Sequence, residues 1–163
     1  MPPSTQQIAD SLGFSLEELA LNRAGSVSWR QLASLFAWTL FPLFFAFAVA
    51  LLLFVGPKGK TWMIVLYRLL AVGVLSLFGW MSWESAADLF ERKVHFAEGP
   101  VQFESNGRGV RIVIGTFRGG VWPNAASVLP QGGNYRLYYL PHSDRVLSIE
   151  PIDSAETPSH LAK

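Results

Sequence analysis

The stretch Leu32–Val55, LASLFAWTLFPLFFAFAVALLLFV, holds 24 consecutive residues without a charge. As a helix rising about 1.5 Å per residue it reaches about 36 Å, enough to cross about 30 Å of hydrocarbon with some tilt. Pro42 lies mid-stretch and predicts a kink, which a transmembrane helix tolerates better than a soluble one. Gly56-Pro57 closes the run. The connector Gly56-Pro-Lys-Gly-Lys60 has only five residues, so a following helix must return antiparallel beside the first. Thr61 suits its N-cap, and residues 61–83 supply a second apolar span.

Working outward, the charge distribution supports the same reading. Between Leu32 and Trp83 the only charges are Lys58, Lys60 and Arg68, although the chain carries 13 Lys+Arg and 12 Asp+Glu in all. The chain is 50% hydrophobic and 15% charged, with a mean hydropathy of +0.28. A soluble domain carries about a quarter charged residues, so a simple soluble globule is excluded and the lipid bilayer becomes the first expected partner. A net charge of +1 offers no basic excess to neutralise phosphates, which argues against a nucleic-acid binder. With no cysteine there are no disulfides, thiolate nucleophiles or cysteine-ligated metals. Trp29, Trp62, Trp80 and Trp83 fall near predicted span ends, as an aromatic belt requires, whereas Trp38 lies deeper.

Residues 1–28 read as a polar leader with one short amphipathic helix, since Ile8, Leu12, Leu16 and Leu19 recur about a turn apart. No cleavable signal is visible. Ser15-Leu-Glu-Glu18 and Ser28-Trp-Arg-Gln31 fit capping boxes, and Asn22-Arg-Ala-Gly25 fits a helix end with glycine in the left-handed region. After Trp83 the second helix is expected to continue, now amphipathic, to about Lys93, so that residues 29–93 form the hairpin. From 94 to 152 the period changes to short β-type runs, with strands expected at 101–104, 110–116, 126–129, 135–140 and 146–150. Turns are expected at Ser105–Gly109, Gln131–Asn134 and Pro141–Asp144. The fold class is therefore α+β: a two-helix transmembrane hairpin followed by a small antiparallel β sheet or barrel. Residues 153–163 read as a disordered tail.

Two segments carry a resemblance. Glu17-Glu-Leu-Ala-Leu-Asn22-Arg-Ala-Gly25-Ser-Val-Ser-Trp-Arg-Gln31 resembles an E-L-x-x-N-R-x-G pattern that precedes a transmembrane hairpin. Gly133-Asn-Tyr135-Arg-Leu-Tyr-Tyr-Leu-Pro141-His-Ser-Asp-Arg-Val-Leu-Ser148-Ile-Glu150 resembles a C-terminal Y-R-x-Y-Y-x-P signature of a small β domain. Both are similar to segments of an uncharacterised family of bacterial two-pass membrane proteins. The resemblance implies bacterial origin and membrane residence, and brings no activity or functional residue with it.

Among individual residues, Arg68 stands out as a candidate intramembrane polar contact. It lies about 10 Å inside the second span, where a charge costs a few kcal/mol. Its long side chain is expected to snorkel toward the headgroups near Lys58 and Lys60, with a contact to a partner subunit as the other reading. Gly73, Ser76 and Gly79 on the second helix, and Ala46 and Ala50 on the first, are candidate helix-packing positions. Packing within the hairpin is favoured for them, and a homo-oligomer is the alternative. His142-Ser143-Asp144 has the letters of a hydrolase triad, but three successive turn residues cannot adopt triad geometry. His95 and His160 are isolated, so no metal site forms by spacing. No catalytic residue, cofactor or metal ligand is assigned.

These residues favour a non-enzymatic membrane-anchored β-domain module acting in binding, as a scaffold or as an accessory subunit. The alternative is a subunit of a membrane-embedded enzyme or transporter, with Arg68 or the carboxylates Glu98, Glu104 and Glu150 contributing. Localisation in the inner membrane is expected, with both termini cytoplasmic. Arg23, Arg30, Arg92 and Lys93 outnumber Lys58 and Lys60 in the flanks that the positive-inside rule counts.

Overall fold

The computed structural model describes residues 3–55, 61–105, 110–120 and 124–152. The expected connector at 56–60, most of the turn at 105–109 and the tail at 153–163 lie outside them. The chain is α+β and divides into two compact units. One comprises residues 29–91, and the other combines residues 1–28 with 92–163.

The helical unit holds two long helices, α3 (Trp29–Val55) and α4 (Thr61–Glu91). Each contains a stretch long and apolar enough to cross a membrane, Trp29–Leu53 and Thr61–Trp80. They pack against each other through small side chains. Ala46 and Ala50 on α3 and Ala71 on α4 are buried, and the Phe45 and Phe78 rings stand 6.2 Å apart. α3 continues through Pro42, and one turn earlier the Thr39 hydroxyl donates to the Leu35 carbonyl at 2.9 Å. That back-bond keeps a polar side chain satisfied in an apolar helix. α4 stops at Glu91, two residues before the expected Lys93, because Arg92 turns into the left-handed region at φ +50°.

The second unit is built from both flanks of the hairpin. The leader contains two helices rather than one, α1 (Thr5–Leu12) and α2 (Leu16–Arg23). Both begin in complete capping boxes, Ser4 with Gln7 and Ser15 with Glu18. Gly13 at φ +80° ends α1 and Gly25 at φ +76° follows α2, the conformation in which glycine carries no Cβ penalty.

Six strands follow: β1 (His95–Pro100), β2 (Gln102–Ser105), β3 (Val110–Ile114), β4 (Phe117–Gly120), β5 (Asn134–Tyr139) and β6 (Val146–Pro151). They form two three-stranded antiparallel sheets, ordered β1-β5-β6 and β2-β3-β4. The chain passes from one sheet to the other at Val101, which is fully buried. Its N–H donates to the Gly133 carbonyl at 2.9 Å and its own carbonyl accepts from Gly132 N–H at 2.8 Å, so no backbone group is orphaned at the crossover.

Three sequence expectations need correction. Residues 126–129 are not a strand: Ala125–Val128 form a one-turn helix, α5. A short apolar run has no decisive period, and alanine favours the helical alternative. β1 and β4 were both unexpected, because Glu98-Gly-Pro100 and Gly119-Gly120 look like turns. The segment 94–152, expected to be all-β, also contains helix α5 and shares its core with the leader. Ile8, Ala9, Leu12, Phe14 and Leu19 from the leader pack in one cluster with Val101, Ile112, Ile114, Leu137 and Ile149 from the strands.

Candidate functional site

Side chains on a strand alternate between faces, so the antiparallel register fixes which residues stand side by side. Two cross-strand rows of the β1-β5-β6 sheet share the face that α2 covers at its β6 end. One row is Glu98, Arg136 and Glu150; the other is Phe96, Tyr138 and Ser148. The last two residues of α2 extend each row by one member. Arg23 joins the charged row, and Asn22 joins the other.

The charged row alternates in sign. Glu150 lies between Arg136 and Arg23, with its side chain 5% exposed. A buried carboxylate is tolerated only when it is paired and hydrogen-bonded. Arg23 donates to Glu150 Oε2 from Nε at 2.8 Å and again from Nη2. The Tyr138 hydroxyl donates to Oε1 at 2.8 Å, and Arg136 Nη1 stands 3.7 Å from the same oxygen. Arg136 turns its Nε to Glu98 Oε1 and lies over the Phe96 ring, 5.8 Å from its centroid. In the second row Asn22 Nδ2 donates to Ser148 Oγ at 2.7 Å.

These contacts shift ionisation in a consistent direction. The hydrogen bond from Arg23 to Glu150 raises the guanidinium above its ordinary value, against the opposing effect of burial. Burial first, and the bond to Glu150 second, raise the Tyr138 phenol; burial alone raises that of Tyr135. A phenol whose pKa is raised by folding stabilises the fold fully below about pH 10, the unfolded value, and loses that contribution as pH rises through the folded value. The body is therefore expected to lose stability on alkaline titration from about pH 10 upward. Tyr138→Phe removes one of the two phenols responsible and should make that loss shallower. At neutral pH the same substitution is expected to cost about 1.5–3 kcal/mol, the value of one bond to a charged acceptor. Denaturant titrations at pH 7 and above pH 10 measure both effects.

A third tie links α2 to Ser28 within the same unit. Glu18, itself buried, accepts from Ser15 N–H at 2.9 Å as a capping residue. With its other oxygen it accepts from the Ser28 hydroxyl at 3.1 Å. Chemically this face is a clamp. Each carboxylate on it is matched to an arginine, so neither is poised as an acid, a base or a nucleophile.

The residues singled out from the sequence fall elsewhere. Ala46 and Ala50 do lie buried in the helical unit. Gly73 and Ser76 on α4 are exposed and Gly79 half-buried, and a Cβ built on either glycine meets nothing within 4 Å. That stripe therefore does not face α3, contrary to the expectation of packing within the hairpin. Arg68 is also exposed on α4. His142, Ser143 and Asp144 form the β5–β6 turn, where Asp144 adopts φ +49°. The His95 ring meets Tyr139 edge-on at 6.0 Å. Glu104 makes a solvent-exposed pair with Arg118 at 3.8 Å, worth little. Among the described residues no group of three His, Asp or Glu side chains is placed to hold a metal ion.

Asn22, Arg23, Tyr138 and Ser148 were not singled out from sequence. The available signal was Ser148 and Glu150, polar residues two apart on an otherwise apolar strand, which therefore share one face. Compared with known proteins, the chain matches no family model, no curated protein and no solved structure.

Proposed function

We propose that this chain is a two-pass anchor of the bacterial inner membrane that carries a compact binding or scaffold body on its cytoplasmic side. One observation carries the reading. Of the 28 large hydrophobic side chains exposed among the described residues, 24 lie on α3 and α4. A helix apolar on all sides is either buried in protein or set in lipid, and these two are largely uncovered by the rest of the chain. The co-folding of residues 1–28 with residues 92–163 favours two crossings, since only an even number returns the chain to the side it left. The excess of Arg and Lys in the flanks favours the cytoplasm for that side. The resemblance to bacterial two-pass proteins points the same way. On this reading Arg68 reaches the headgroups of the connector-side leaflet by snorkelling, since helical side chains lean toward the N-terminus.

Leu51 and Leu70 are exposed on α3 and α4, whereas Leu21 is exposed on α2. A lysine at Leu70, near the middle of its span, is expected to cost insertion about 2.5–3.5 kcal/mol, and at Leu51, near the end of its span, less. It should move a large share of the chain out of the carbonate-resistant membrane pellet, while Leu21→Lys leaves the chain there. Equal behaviour of the three variants would contradict the anchor. The binding role is tested by cross-linking in native membranes at exposed positions of the body. Recovery of this chain alone, repeatedly, would count against it.

A further inference from the structure

We infer that α2 is a polar latch, held on β6 by the Arg23–Glu150 and Asn22–Ser148 contacts and able to open without unfolding the body beneath it. The two leader helices are held in different ways. α1 buries Ile8, Ala9 and Leu12, and Phe14 follows into the same core. α2 buries only Glu18, Leu19 and Asn22, so a single apolar side chain accompanies its polar contacts. Leu16 and Leu21 remain exposed. Apolar burial is non-directional and tolerates small shifts, whereas charge-assisted bonds depend on geometry and are lost together once the partners separate.

The fit of α2 is also incomplete. Asn22 is 1% exposed, yet among the described residues its Oδ1 has no hydrogen-bond partner, and such an atom gains a water partner when the helix lifts. Glycines in the left-handed conformation stand at both ends of the segment, Gly13 at φ +80° and Gly25 at φ +76°. Opening breaks Arg23 and Asn22 away from β6, and the chain that leads into α3 begins one residue after Arg23. Glu18 holds that chain through Ser28. Movement of α2 therefore passes directly to the residue preceding the first long helix. The latch joins a strand near the C-terminal end of the described chain to the segment that ends at Ser28, through one ion pair and one side-chain hydrogen bond.

Amide hydrogen exchange of the full chain in detergent micelles tests this. Glu150→Gln is expected to speed exchange across residues 16–24 about tenfold or more, while amides of β3 exchange as in the unaltered chain. Arg23→Met, whose side chain is 55% exposed in the parent, should do the same and does not depend on tolerance of a change at the buried position. Glu104→Gln, the same charge change in the exposed pair, should leave residues 16–24 unaffected. The latch is overturned if α2 and β3 accelerate together in Arg23→Met, if α2 exchange does not change, or if Glu104→Gln accelerates it equally.

Discussion

A polypeptide of residues 92–152 alone is expected not to fold. Its far-ultraviolet dichroism should lack a cooperative thermal transition, although it contains every strand of both sheets. The reason is the shared core. Ile8, Leu12, Phe14 and Leu19 are each no more than 7% exposed, and full burial of such a side chain is worth about 1.5–3 kcal/mol. The four together contribute about 6–12 kcal/mol, comparable to the whole stability of an ordinary domain, about 5–15 kcal/mol. Without the leader, the Glu150 carboxylate also loses Arg23. Residues 3–28 joined to 92–152 by a flexible linker of about twenty Gly/Ser residues, spanning about 25 Å, should restore a cooperative transition. A cooperative transition in residues 92–152 alone would show that the leader is an appendage.

This dependence could not be read from the sequence, for a definable reason. Local signals were strong where local physics decides. The uncharged run fixed α3 to within a few residues of 32–55, Thr61 marked the start of α4, and Ser15 with Glu18 forms the capping box its spacing implied. The alternation in Tyr135–Tyr139 was legible too, but both faces proved buried at Leu137 and Tyr138, which alternation alone cannot reveal. Arg23 and Glu150 are separated by 127 positions. Nothing local in either residue marks it as the partner of the other, because pairing at that separation is decided by tertiary packing. β4 was hidden by the same limit. Phe117-Arg-Gly-Gly120 has weak strand propensity, and what makes it a strand is its pairing with β3.

Replacement of glycine at position 115, in the β3–β4 turn, is expected to be costly. It adopts φ +56°, and a Cβ there would stand 2.6 Å from the Glu98 carbonyl oxygen. Two costs then combine. The left-handed conformation costs a residue with a Cβ about 1–2 kcal/mol, and forcing an atom against backbone adds about 1–3 kcal/mol. Gly115→Ala should therefore destabilise the body by roughly 2–5 kcal/mol. Gly132→Ala separates the two costs. Gly132 has φ +81°, with nothing within 4 Å of an added Cβ, so only the conformational cost of about 1–2 kcal/mol applies. Urea titration of the two variants gives the comparison. Similar losses in both would mean that the close approach of the β3–β4 turn to β1 contributes nothing.

If the hairpin crosses the bilayer as proposed, both of its flanks fold together on one side. The chain has no cysteine, so single cysteines placed at Asp10, Arg118 and Lys58 report without background. Spheroplasts are treated with a membrane-impermeant thiol reagent before and after permeabilisation. Labelling at 58 is expected in intact spheroplasts, with 10 and 118 labelled only after permeabilisation. Labelling at 10 and 118 but not at 58 would reverse the orientation and leave the shared body in place. Opposite behaviour of 10 and 118 would contradict the shared body itself.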